Sequence, residues 1–166
     1  MKLSIAAMSL LVCNPLGAQT DELIRKFYSD IHTALALKPG FVVADAGSGD
    51  DPAHAVRIAG VTGATARVVC VDINQGALDK LKRNLPAGIQ NIEVHLGKPD
   101  YPLLTLATFD AILISNAYHE MAGHQAMLLH LREALKPLKP NGRLVVIEAI
   151  DNQRRQATRA EQGRES

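Results

Sequence analysis

Apolar residues recur along this chain in two different periods, and each change of period marks an element boundary. From Asp21 to Leu37, the residues Leu23, Ile24, Phe27, Ile31 and Leu35 return every three or four positions among charges, which predicts an amphipathic helix. Lys38-Pro39-Gly40 ends it. Phe41-Val42-Val43-Ala44 then forms a short apolar run closing on Asp45, the pattern of a buried strand. Helical spacing returns from Pro52 to Ala59, and Pro52 suits a first turn, where its missing N–H costs nothing. Arg67 to Val71 is a second β-branched run, closing on Asp72, and Leu78, Leu81 and Leu85 give helical spacing to Gln75 through Leu85. Ile92 to Leu96 predicts a third strand, followed by a loop from Gly97 to Ala107 that holds Pro99 and Pro102. A fourth strand is expected from Phe109 to Ser115. Its core, Ala111-Ile112-Leu113-Ile114, is apolar without alternation, as in a central parallel strand covered on both faces. Met121 to Leu135 predicts a helix, closed by Lys136-Pro137 and Lys139-Pro140-Asn141-Gly142, and Leu144 to Ile147 a fifth strand.

Strands separated by helices predict an α/β fold: a Rossmann-like, doubly wound, mostly parallel sheet of about five strands, with helices on both faces and right-handed crossovers. The domain is expected over residues 19–150. The two ends differ from it. Met1 to Ala18 carries one cation, Lys2, and no acid; its apolar run from Leu3 to Val12, the break at Pro15 and the small Ala18 resemble a secretory signal peptide. Cleavage after Ala18 is expected, and an apolar helix packed on the domain is the alternative. The run is too short to cross ~30 Å of hydrocarbon, so no stable membrane span is expected. A cleaved leader implies a secreted or periplasmic protein, and an uncleaved one a cytoplasmic protein. Residues 151–166, with Arg154, Arg155, Arg159 and Arg164 among acids, read as a polar tail.

Composition narrows the function classes. The 166 residues are 47% apolar and 21% charged, enough for one globular domain. Eighteen cations against 17 anions leave a formal charge of +1, and aromatics are 4% with no Trp. Neither bulk positive charge nor stacking platforms are available, which argues against nucleic acid as a partner. The cysteines are Cys13 and Cys70, so loss of the leader leaves no intramolecular disulfide. Cys70, set among Val68, Val69 and Val71, reads as a small buried hydrophobe.

Ligands of open α/β sheets bind beyond the carboxyl ends of the strands. Here the first strand leads into Asp45-Ala46-Gly47-Ser48-Gly49-Asp50-Asp51-Pro52. Gly47 and Gly49 lack a Cβ and let the backbone turn tightly and approach a ligand. Asp72 closes the next strand about 25 residues after Gly47, where a carboxylate can accept both hydroxyls of a ribose. The pair fits a dinucleotide or S-adenosylmethionine. A pyrophosphate seeks the positive end of a helix, but Asp50 and Asp51 stand there, and position 52 is Pro where the dinucleotide fingerprint has its third glycine. A cationic sulfonium and ammonium suit these carboxylates better, with Asp45 a further one near the ammonium. Asp50 or Asp51 also serves as a helix cap.

On these residues the chain resembles the class I S-adenosylmethionine-dependent methyltransferases from about Leu23 to Ile150. The first motif is Val42-Val43-Ala44-Asp45-Ala46-Gly47-Ser48-Gly49 and the second Val69-Cys70-Val71-Asp72-Ile73. Phe109 through Glu120 and Leu138-Lys139-Pro140-Asn141-Gly142-Arg143-Leu144 are similar to the later segments. The resemblance implies S-adenosyl-L-methionine as cofactor, with Asp45, Gly47, Ser48 and Gly49 around its methionine part. Asp72 would hold the ribose and Ile73 would pack on the adenine, with Asp100 and Asn116 completing the set. Asp51 stands where the family has a third glycine. Family members also continue with a helix and two more strands, so the chain reads as C-terminally short, with an exposed fifth-strand edge that suits a homodimer. An NAD(P)-linked oxidoreductase and a catalytically silent protein of the same fold are the rival expectations.

Methyl transfer is an in-line displacement that needs a base only if the acceptor must lose a proton. Tyr118 and His119 follow the fourth strand at the mouth of the expected site. His119 is the candidate base, because imidazole titrates near neutral pH; Tyr118 would orient a small-molecule acceptor or cover the cofactor. His119-Glu120 also begins a metalloprotease-like string, but the next histidine is His124, five residues on. Five helical steps put the rings about 140° apart, so no metal site is expected.

Overall fold

The computed structural model describes residues 15–136 and 142–148. Five strands, β1 (Val42–Ala46), β2 (Arg67–Asp72), β3 (Ile92–Leu96), β4 (Ala111–Ser115) and β5 (Arg143–Ile147), form one sheet in the order β3-β2-β1-β4-β5. Every pairing is parallel. The chain moves outward from β1 through β2 to β3, then returns to lay β4 on the other side of β1. That reversal opens a crevice between the carboxyl ends of β1 and β4.

Helices α1 (Pro15–Ala34), α2 (Ala53–Thr62), α3 (Gln75–Asn84) and α4 (His124–Ala134) cover both faces. On one, Ile31 of α1 and Leu35 just past its end, Ala55, Ile58 and Ala59 of α2 and Leu81 of α3 pack against Val43, Val68, Cys70, Ala111 and Leu113. On the other, Met127, Leu131 and Ala134 of α4, with Leu104 and Phe109, pack against Ala44, Ala46, Val69, Val71, Ile112 and Ile114. Successive strand residues point to opposite faces, so strands apolar at every position are those buried on both sides. The doubly wound sheet expected from the sequence is present.

Three boundaries differ from the periodicity. β4 begins at Ala111, because Phe109 instead pairs with Leu135, its N–H donating to Ala134 O at 3.0 Å and its carbonyl accepting from Lys136 at 2.9 Å. α4 begins at His124, because Tyr118–Glu120 forms a separate 3₁₀ turn, Met121 is extended and Gly123 is non-helical. α1 extends back to Pro15, so the Ala18–Gln19 bond lies within it. Residues 1–14 of the expected leader and the expected tail 151–166 lie outside the described residues. Among the described residues β5 pairs with β4 alone, and no helix is long and apolar enough to cross a membrane.

Candidate functional site

A cleft of about 280 Å³ opens over the carboxyl ends of the strands. Gly47 and Gly49 after β1, Asp72 and Ile73 at the end of β2, Gly97 and Lys98 after β3, and Asn116, Glu120 and Met121 after β4 line it.

The loop after β1 is held by the end of β2. Gly47 and Ser48 both donate their N–H to Val71 O, at 2.7 and 3.1 Å. Gly47 has φ 78°, and a Cβ there would lie 2.4 Å from that of Ala117, so no other residue fits. Gly49 also has a left-handed backbone, and its N–H donates to Asp72 Oδ2 at 2.9 Å. Asp72 Oδ1 accepts the Asn74 N–H at 2.9 Å, while the Asn74 side chain caps α3 by accepting from Ala77. Each Asp72 oxygen keeps a lone pair for a ligand donor. This is the acceptor geometry a ribose diol needs.

The carboxylates expected to repel a pyrophosphate are already engaged. Asp51 accepts the Ala53 N–H at 2.9 Å, at the start of α2. Asp50 pairs with Lys80 of α3 at 2.6 Å, and that hydrogen bond and charge hold its carboxyl below the usual range. Lys80 is not legible as a partner in the sequence, because 30 residues separate it from Asp50 and neither position carries a local signal.

Asp45 lies behind the loop rather than in the cleft wall, 1% exposed. Burial, and then the charge of Asp72, push its pKa up to about 7. Its Oδ2 and the buried Ser48 Oγ have no hydrogen-bond partner among the described residues. Buried polar atoms are rarely left unpaired. Two of them beside a glycine turn that leads into a cleft fit the polar methionine end of S-adenosylmethionine, and the glycine approach and Asp72 fit its remainder.

At the opposite side of the mouth, Asn116 adopts φ 51° and donates its N–H to Ile147 O at 2.7 Å. Glu148, just past β5, accepts the Tyr118 N–H through Oε1 at 2.7 Å, and its Oε2 lies 2.7 Å from His119 Nδ1. His119 Nε2 lies 3.7 Å from Glu120 Oε1. Tyr118 stacks on His124, whose Nε2 lies 2.8 Å from the Tyr118 carbonyl oxygen. Tyr118 and His119 are not among the residues that line the cleft, whereas Glu120 and Met121 of the same segment are. Lys98 and Pro99 form the wall after β3; Asp100 is exposed and packs on Gly123. Glu148 is not among the site residues expected from the sequence, although it closes the apolar run Leu144-Val145-Val146-Ile147 just as Asp45 and Asp72 close theirs. Among the described residues no cluster of three or more metal-ligating side chains occurs.

Known proteins share this outline. Residues 43–142 match the family described as methyltransferase domain. An S-adenosylmethionine-dependent methyltransferase from Aquifex aeolicus is similar in fold, with TM-score 0.66 and 20% identity over 75% of this chain and 66% of that one. The YcgJ protein of Bacillus subtilis gives TM-score 0.63 and 15% identity over 73% of this chain and 49% of its own. An S-adenosylmethionine-dependent O-methyltransferase of Thermotoga maritima gives 0.61 and 19% over 78% and 46%. The chain thus spans less than two thirds of the length of each of these proteins. No curated protein matches it.

Proposed function

The chain belongs to the class I S-adenosylmethionine-dependent methyltransferases, and from that premise we propose that it binds S-adenosyl-L-methionine in the cleft and transfers the methyl group to a small-molecule acceptor. The observation that carries this is the tie between Asp72 and Gly49: one carboxylate closes β2, fixes the glycine turn and retains free lone pairs over the cleft. Asp72 would accept the ribose hydroxyls. Gly47, Ser48 and Gly49 would border the methionine part, with the Asp45 carboxylate behind them as counter-charge, and exposed Ile73 would cover the adenine. Asn116, which lines the cleft, completes the proposed cofactor set, with Asp100 in it only if the loop after β3 carries that exposed carboxylate to the ligand. When bound, the cofactor supplies an electrophilic methyl group on a sulfonium.

The chain's own work is alignment, exclusion of water and, for a protic acceptor, removal of a proton. His119 would take that proton and Tyr118 would orient the acceptor at the mouth. Calorimetric titration of the full chain with S-adenosylmethionine and with NADH tests the proposal. One-to-one binding of S-adenosylmethionine, weakened in Asp72→Ala, is expected. Binding of NADH alone would replace methyl transfer with a redox role, and binding of neither would remove both.

A further inference from the structure

We infer that the open edge of β3 is an interface for a second copy of this chain, paired antiparallel about Val94 so that the two sheets join into one. This surface does not depend on the methyl transfer proposed above.

β3 is the outermost strand on its side of the sheet, and among the described residues it pairs with β2 alone. The ends of that pairing fix the direction of the backbone groups along it. The Asn91 carbonyl accepts from the Val68 N–H and the Gly97 N–H donates to the Asp72 carbonyl, both at 2.9 Å. Alternate residues of a strand turn their N–H and C=O to the same side, so Glu93 and His95 face β2 together with 91 and 97. The N–H and C=O of Ile92, Val94 and Leu96 therefore point out from the edge. Natural edges are blunted by a proline, a lysine or a bulge. Ile92-Glu93-Val94-His95-Leu96 holds no proline or lysine, and its register on β2 runs without a bulge.

The side chains of this strand are complementary to their own reversal. On each side of Val94 stand a polar residue and then an apolar one, and the polar residues are an acid, Glu93, and an imidazole, His95. In a two-fold antiparallel pair centred there, the two Val94 residues exchange both backbone hydrogen bonds. Ile92 meets Leu96 of the second copy in another bonded pair, and Glu93 meets His95 of the second copy in the closer position between bonds. Cross-strand partners have Cβ atoms about 4.5–5.5 Å apart, which favours opposite charges and penalises like ones. Glu93 thus repels most added strands but finds a partner on a reversed copy of its own.

Leu96 is 47% exposed at the end of the strand, and the pairing covers it with Ile92 of the second copy. On the opposite face, Glu93 Oε2 lies 3.4 Å from His95 Nε2 of its own strand and 3.7 Å from Arg67 of β2. Pairing encloses each of these carboxylates between cationic or hydrogen-donating groups. The other edge of the sheet lacks this match: the same operation on β5 about Val145 sets exposed Arg143 opposite Ile147. The homodimer expected at the fifth-strand edge therefore finds its charge complementarity at β3 instead. Because the copies run antiparallel, their clefts open at opposite ends of the joined sheet and neither covers the other. One short strand from each copy buries less than the roughly 1,200 Å² of a stable interface, so association is weak and depends on concentration.

Sedimentation velocity on the full chain, over about a hundredfold range of concentration, is expected to show a reversible monomer–dimer equilibrium. Glu93→Lys sets a cation opposite His95, and His95→Glu sets two acids opposite each other. The two-fold axis doubles each change, so each variant should raise the dissociation constant by at least about tenfold. Both substitutions in one chain exchange the two charges and should return the constant to within about threefold of wild type, in samples with unchanged circular dichroism. Amide hydrogen exchange tests the wild type itself: the Val94 N–H, open to water in the monomer, should exchange more slowly as concentration rises. A chain that stays monomeric throughout, a dimer that neither single variant weakens, a double variant no better than the singles, or a Val94 amide indifferent to concentration each overturns the inference.

Discussion

Asp72 Oδ2 accepts the backbone N–H of Gly49 at 2.9 Å, so the residue that closes β2 also sets the shape of the loop after β1. A side chain with this double task should show it in two measurements. Asp72→Ala leaves the Gly49 and Asn74 amides without their acceptor and removes the proposed ribose contact. Hydrogen bonds to a charged group contribute about 1.5–3 kcal/mol each. Affinity for S-adenosylmethionine should fall at least tenfold by calorimetry, with a lower melting temperature as well. Unchanged affinity would remove Asp72 from the site.

Gly47 and Gly49 both have left-handed backbones, yet they should respond differently to alanine. At Gly47 the added carbon meets the Ala117 Cβ at 2.4 Å; at Gly49 nothing lies within 4 Å. Gly49→Ala carries only the backbone strain, about 1–2 kcal/mol. Gly47→Ala carries that strain and must also push the segment leaving β4 away from the cleft. Denaturant titration should therefore rank Gly47→Ala as the more destabilising, by more than about 1 kcal/mol, and equal losses would show that the Ala117 contact is unimportant.

Most of this architecture was legible because its signals are local. The uninterrupted run Ala111-Ile112-Leu113-Ile114 reports burial on both faces directly, and Asp45 and Asp72 mark strand ends by interrupting apolar runs. The illegible parts depend on distant partners. Phe109 has the residue type of a strand, but its backbone is claimed by Ala134 and Lys136 at the end of α4. Met121 stands at helical spacing from Leu128, but the turn before it is clamped from the end of β5 by Glu148, 30 positions from Tyr118. The Asp50–Lys80 pair likewise joins two elements that meet only after folding.

Asp110 offers a contrast with Asp72, because it lies at the amino end of its strand, away from the cleft. Its Oδ2 accepts the Val42 N–H at 2.9 Å and its Oδ1 the Lys136 ammonium at 2.7 Å. Asp110→Ala leaves a partly buried amide unpaired and should destabilise the fold by about 1–3 kcal/mol. Lys136→Ala removes only a half-exposed ion pair and should cost less than about 1 kcal/mol. Neither should change the intrinsic affinity for S-adenosylmethionine in samples that remain folded; a tenfold loss in Asp110→Ala would mean that the two ends of the sheet are coupled.

Asp45 should make stability depend on pH with a sign opposite to that of most carboxylates. Its pKa is raised from 3.8 to about 7, chiefly by burial and secondarily by Asp72. Below about pH 4 the group is protonated in both folded and unfolded chains and contributes no difference. Between about pH 4 and 7 the folded chain holds a proton that the unfolded chain has lost, so stability falls as pH rises. Above about 7 the charge is present in both states and its full burial cost, on the order of 4 kcal/mol for this shift, is expressed. Asp50 and Glu148, whose pKa values are lowered, slope the other way, so the wild type alone does not isolate the effect. The difference between wild type and Asp45→Asn does. Urea unfolding should show the variant gaining on the wild type from about pH 5 to pH 8, with no further gain above it. A cationic ligand favours the ionised form, so the extra melting temperature conferred by S-adenosylmethionine on the wild type should be larger at about pH 7.5 than at about pH 6, and that increment should flatten in Asp45→Asn. A gap between the two proteins that is constant with pH would show that Asp45 does not ionise in this range.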